Sequence, residues 1–131
     1  MASIFTKIVN GEMPCTKVAE DDKHLAFMEI SPLTQGHTLV IPKKETDYIF
    51  DLDNQAYLEL MLFAKKTAVA LKKAVPCKKV AVMVYGLQVP HAHIHLVPVH
   101  GTPGELNLSN AKKSTSEELE SIAQKIHSHL R

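Results

Sequence analysis

Three histidines, His91, His93 and His95, stand at every second position of the run His91-Ala92-His93-Ile94-His95-Leu96-Val97-Pro98. A strand sends alternate residues to one face at intervals of about 6.5 to 7 Å, so this spacing lines up three imidazoles and turns Ala92, Ile94 and Leu96 to the core behind them. Imidazole titrates near pH 6.5, and at neutrality one ring can attack phosphorus or take a proton while a neighbour donates to developing negative charge. Two other readings stand beside this one. The row could be an exposed strand face that carries histidines, or part of a Zn²⁺ site whose remaining ligands no nearby Cys or His spacing supplies. A further histidine, His37, opens the run His37 to Ile41, where His37, Leu39 and Ile41 share one face. Alone, it also reads as an edge histidine in water.

These side chains need strands to hold them. Lys17 to Glu20 and His24 to Ile30 flank the polar Asp21-Asp22-Lys23 as a hairpin would, Ser31-Pro32 ends the second run, and Pro42 closes the third. From Asp53 to Ala74, Tyr57, Met61, Ala64, Ala68 and Leu71 recur at helical spacing, with Asp53 or Asn54 able to cap and Pro76 beyond the end. Val80 to Tyr85 and His91 to Val99 predict antiparallel neighbours across a short connection that holds Gly86 and Pro90. Thr115 and Glu118 have capping-box spacing, and Leu119, Ile122, Ile126 and Leu130 predict a carboxy-terminal helix over about 115–130. Strands beside one long and one terminal helix, without βαβ alternation, define an α+β fold class with a mainly antiparallel sheet, in one domain over 1–131.

Composition narrows the partners. With 131 residues, 45% of them hydrophobic, the chain can bury one core. Fifteen Lys and Arg against 14 Asp and Glu leave a net charge of +1, and there are few aromatics and no Trp, which argues against a nucleic-acid footprint. Small-molecule and protein partners fit better. The first residues carry Lys7 and Glu12 with no apolar run of signal-peptide length, and nothing has the length of a membrane span, so the chain reads as cytoplasmic. Cys15 and Cys77 read as reduced structural thiols.

The triad run resembles the signature of the histidine-triad (HIT) nucleotide-binding family, His-x-His-x-His followed by apolar positions. The likeness extends to Ile4-Phe5-Thr6-Lys7-Ile8-Val9-Asn10-Gly11-Glu12-Met13-Pro14, to Ala26-Phe27-Met28-Glu29-Ile30-Ser31-Pro32 and to Gly36-His37-Thr38-Leu39-Val40-Ile41-Pro42-Lys43-Lys44. With the long helix these cover about residues 3–100, and such an ordered series is far more specific than the histidine run alone. The resemblance implies a HIT-like five-stranded sheet continued across a homodimer, paired through the long helix and a strand, and a nucleoside monophosphate site in each protomer. It implies a catalytic set in which His93 attacks the α-phosphorus, His91 orients it through its backbone carbonyl, and His95 and His37 hydrogen-bond the phosphate side. It further implies an apolar base pocket of Ile4, Phe5, Ile8, Phe27, Ile30 and Leu39, whose alternative is ordinary core, and puts Glu29 where the family commonly has a ribose-binding Asp.

Against the family pattern, the connection before His91 is short, Val84-Tyr85-Gly86-Leu87-Gln88-Val89-Pro90; the family Gln matches Leu87, and Gln88 falls at the polar position that contacts the leaving group. Glu45 stands where relatives often have His, and the Cys residues of zinc-carrying relatives are absent, so no structural zinc and no cofactor are expected. The resemblance thus points to a hydrolase of nucleoside 5′-phosphoramidates that releases a purine nucleoside monophosphate such as AMP. The alternatives are cleavage of dinucleoside polyphosphates, or a weakly catalytic nucleotide-binding interaction protein whose terminal helix docks elsewhere.

Overall fold

The structure is a computed structural model that describes residues 2–130. Its sheet is built from β1 (Lys17–Glu20), β2 (His24–Met28), β3 (Thr38–Pro42), β4 (Lys79–Met83) and β5 (Ile94–Val99), in the order β1-β2-β3-β5-β4 with every neighbouring pair antiparallel. The expected α+β fold with a five-stranded antiparallel sheet is therefore present. Three helices complete it: α1 (Ile4–Val9), α2 (Asn54–Ala74) and α3 (Ser116–Ser128).

The two-residue alternation of the strands splits the interior into two clusters. Ala26, Met28, Val40, Ala92, Ile94 and Leu96 join Leu60, Ala64 and Leu71 of α2 and Leu119, Ile122 and Ile126 of α3 on one side of the sheet. Leu25, Phe27, Leu39 and Ile41 face the other way and meet Phe5 of α1. Terminal helix α3 therefore packs on its own domain. Thr115 caps it by accepting the Glu118 N–H at 3.2 Å, as the capping-box spacing predicts.

Helix α2 begins where Asp53 accepts the Ala56 N–H at 2.8 Å and ends one residue before Val75, whose N–H reaches Leu71 O. Its most buried stripe is rotated from the expected one. Leu60, Ala64, Thr67, Ala70 and Leu71 are buried, while Tyr57, Met61 and Ala68 are only partly so. The cause is a second apolar set, Leu58, Leu62 and Val69, which lies exposed on the far side and blurs the sequence periodicity.

Three strand boundaries differ from expectation by two residues or more. β2 stops at Met28 instead of Ile30. β4 stops at Met83, freeing Val84 and Tyr85. β5 starts at Ile94, so His91 and His93 precede the strand rather than belong to it. The last ladder pairs are Met83↔His95 and Val40↔Ile94; beyond them the His91 N–H turns back to Val89 O and the Ala92 N–H goes to Thr46 O at 2.7 Å. The two-residue alternation nevertheless survives, with Ala92, Ile94 and Leu96 in the α2-side core.

Helix α1, unannounced by any periodicity, is capped at its start by Ser3, whose Oγ accepts the Thr6 N–H at 3.0 Å. It ends at Asn10 because Gly11, at φ +78°, turns the chain in the left-handed region. Among the described residues, no helix is long and apolar enough to cross a membrane, and Cys15 and Cys77 are free thiols.

Candidate active site

On the α1 side of the sheet a cleft of about 320 Å³ opens over the ends of β3 and β5. His37, His93 and His95 line it with Phe5, Glu29, Ile30, Leu39 and Gln88, bringing eight of the twelve expected site residues into one cavity. His91 is completely buried behind it. Ile4, Ile8 and Phe27 do not line it: Ile4 is exposed on α1, Ile8 packs against the small core cluster, and Phe27 is buried, edge-on to Phe5 at 5.6 Å between ring centroids. Ile30 is 60% exposed, so an apolar side chain stands at the cleft with no core to bury it.

Directions of hydrogen bonding follow from groups that can only donate or only accept. The Leu33 backbone N–H donates to His37 Nδ1 at 3.0 Å, so the His37 proton sits on Nε2 and is given to His95 Nδ1 at 2.9 Å. His95 must then carry its own proton on Nε2. For His93 the order is reversed. His93 Nδ1–H donates to the His91 carbonyl at 2.8 Å, which in the neutral ring leaves the lone pair on Nε2. Among the described residues nothing bonds that atom, and it is not sealed from solvent. Three like residues thus present two opposite faces: a donor from His95 and an acceptor from His93, with ring centroids 5.0 Å apart.

Burial, followed by the nearby His95 and His93, pushes His37 down to about 3, and burial, followed by His93, pushes His95 down to about 4. His91 is also lowered, chiefly by burial. The His37–His95 pair is therefore neutral at pH 7, which is what its hydrogen-bond directions require.

His91 holds the site from below. Its Nε2–H donates to Pro42 O at 2.8 Å, its Nδ1 accepts the Ser3 hydroxyl at 2.9 Å, and its carbonyl takes the His93 proton. His37 is set by Gly36, whose φ of +94° turns the chain into β3 where a Cβ would lie 3.0 Å from Val75 Cγ2.

Some lining residues were not among the expected ones. Tyr85, Leu87 and Val89 come from the short connection before His91, and Leu108 and Ala111 come from the polar segment ahead of α3. That segment is drawn over the cleft by Ser114 N–H to Ile30 O at 2.9 Å. Leu106 and Leu108, apolar within a polar stretch, were the only available hint.

Glu29, His37 and His95 each offer one atom within 4.8 Å of the others, the set best placed here to hold a cation. Both His37 nitrogens and Nδ1 of His95 are already engaged in hydrogen bonds, so a metal would have to displace them.

The comparisons agree with this geometry. The HIT domain matches residues 10–102, and the chain belongs to that family. The fold is that of a Hit-like protein of Bartonella henselae involved in cell-cycle regulation, with a TM-score of 0.86 and 34% identity over 98% of this chain and 96% of that one. A HIT-like protein of Borreliella burgdorferi is 39% identical over 102 residues, covering 72% of this chain and 73% of its own. The adenosine 5′-monophosphoramidase of Schizosaccharomyces pombe is 30% identical over 137 residues and the whole of both chains.

Proposed function

We propose that this protein is a metal-independent nucleotide hydrolase that releases a purine nucleoside 5′-monophosphate from a phosphoramidate or a related α-phosphate derivative. The observation that carries the reading is the free Nε2 lone pair of His93 in the cleft, fixed by the Nδ1–H bond to the His91 carbonyl. His93 Nε2 bonds to the α-phosphorus as the bond from phosphorus to the leaving nitrogen breaks, and the amine departs with a proton taken from solvent. Water then cleaves the Nε2–P bond, giving the monophosphate, returning a proton to solvent and restoring the imidazole.

The remaining roles follow from the same directions. His95 Nε2–H donates to a phosphate oxygen, and His37 keeps that donor aimed by occupying His95 Nδ1. Phe5, Ile30 and Leu39 hold the base, Glu29 accepts from the ribose hydroxyls, and Gln88 lies toward the leaving group. The cleft volume, at the low end of the roughly 300 to 1,000 Å³ of ligand pockets, favours one nucleotide over two and so favours the phosphoramidate over a dinucleoside polyphosphate. The full-length likeness to a monophosphoramidase supports the same choice.

The working unit in this reading is a cytoplasmic homodimer. Exposed Leu58, Leu62 and Val69 on α2, and exposed Val82 on the outer strand β4, are the apolar surface that supports it.

The test is AMP release from adenosine 5′-phosphoramidate in excess chelator. Wild type should turn over, and His93→Ala should lose at least about a thousandfold in kcat with an unchanged circular dichroism spectrum. Wild-type rates in the variant would remove His93 as nucleophile, and loss of activity with chelator would bring back the metal.

A further inference from the structure

One polar cluster lies outside the cleft and is not used by the reaction above. The Glu45 carboxylate, on the loop after β3, accepts the Ser3 backbone N–H at 2.7 Å and the Thr6 hydroxyl at 2.6 Å through the same oxygen. The Ser3 hydroxyl accepts the Thr6 N–H and can then donate only once, to His91 Nδ1 at 2.9 Å. These contacts link an exposed carboxylate, through the first turn of α1, to the buried imidazole under the site. Ser3 is 42 residues from Glu45 and 88 from His91.

The same turn carries Phe5. Its ring stands edge-on to His93 at 4.9 Å and to His91 at 5.8 Å, and it forms a wall of the cleft. A helix of six residues does not hold itself together in water. What docks α1 on the site is this hydrogen-bonded cluster together with the Phe5 contacts.

We propose that Glu45 is a positioning residue, which clamps α1 onto His91 and thereby holds both the His93 ring and the Phe5 wall in their working places. This rests on the hydrolytic role given above to His93. The carboxylate can do so at neutral pH because the Thr6 hydroxyl, then the Ser3 N–H, hold Glu45 down to about 2. Its charge strengthens both bonds it accepts.

The experiment compares wild type with Glu45→Ala, Glu45→Gln and, as a control on an exposed carboxylate just past the other end of α1, Glu12→Ala. Four quantities are read: kcat and KM for AMP release, AMP affinity by titration, and hydrogen exchange of the α1 amides. Glu45→Ala should lower kcat/KM about tenfold, shared between a smaller kcat and a larger KM, with weaker AMP binding and faster α1 exchange. Glu45→Gln keeps an acceptor oxygen and should recover most of the loss, while Glu12→Ala should match wild type. Thr6→Val, which removes one donor without its bulk, is the second variant if Glu45→Ala does not fold, and it should show the same pattern in smaller measure.

Unchanged kcat, KM and α1 exchange in Glu45→Ala would overturn the clamp. So would a lower melting temperature with kcat and KM intact below it. A wild type that binds AMP but does not release it from the phosphoramidate would sink the proposed activity alone. The clamp would then stand or fall on AMP affinity and α1 exchange.

Discussion

Mild acid should destabilise this protein, and the buried His37–His95 pair should be the main cause. Both rings are held neutral, His37 down to about 3 and His95 down to about 4, whereas in the unfolded chain each takes up a proton near 6.5. Between those values the unfolded state binds more protons, so stability rises with pH across the window and is lost as pH falls below 6.5. Each histidine contributes a slope of up to about 1.4 kcal/mol per pH unit, so the pair should cost about 3 kcal/mol between pH 6.5 and pH 5. That is a large share of the roughly 5 to 15 kcal/mol that holds a domain together. The shifted carboxylates and His100 leave the window clear. Glu45 and Glu105, both held down to about 2, lose their contribution only as pH drops below the ordinary carboxylate value of 4.5. His100, raised by Glu105, already gives its full contribution below 6.5 and loses it only as pH climbs. His91, lowered by burial, adds to the effect with the same sign. The assay is urea unfolding at fixed protein concentration, followed by circular dichroism because the chain has no Trp. His37→Asn, which cannot titrate, should show about half the wild-type slope. A wild-type stability flat from pH 6.5 to 5, or a variant with the wild-type slope, would refute the reasoning.

Two further outcomes test the packing around the site. Gly36→Ala forces a side chain onto a φ of +94° with its Cβ 3.0 Å from Val75 Cγ2 and 3.1 Å from Leu71 Cδ1. It should cost about 2 kcal/mol in thermal unfolding, and wild-type stability would mean that the His37 turn is not held as described. Leu62, 65% exposed on α2, lies on the surface proposed for pairing. Sedimentation should give twice the 14.5 kDa chain mass for wild type and the single mass for Leu62→Glu, and a 14.5 kDa wild type would remove the dimer.

What the chain discloses and what it withholds divide along the range of the interactions. Alternation in β3 and around β5, the Asp53 and Thr115 caps and the proline stops are local, and each was legible. The ends of β4 and β5 were not, because they are decided by where two ladders stop pairing, at Met83↔His95 and Val40↔Ile94. Helix α1 has too few residues to show a period, and it forms on contacts with Glu45 and His91 that no window of sequence contains. The α2 stripe was misplaced because that helix is apolar on two sides, a pattern that one core-facing stripe cannot describe. In the site, residue identities were readable from the triad spacing, but the contribution of Leu108 and Ala111 depends on a backbone bond between Ser114 and Ile30.

The deeper information lost in a sequence is direction. His93 and His95 are the same residue two positions apart, yet one offers a lone pair and the other an N–H. The difference comes from backbone groups flanking β3. At its start, the Leu33 N–H can only donate, and through His37 it leaves the His95 proton on Nε2. At its end, Pro42 O can only accept, and it fixes the orientation of His91, whose own carbonyl then claims the Nδ1 proton of His93. None of these backbone groups titrates, so the opposite polarity of the two rings is set by the fold and does not depend on a neighbouring carboxylate to choose the tautomer. A fold that holds His37 and His91 at the two ends of one short strand can therefore make a donor and an acceptor out of one kind of side chain, about one ring apart.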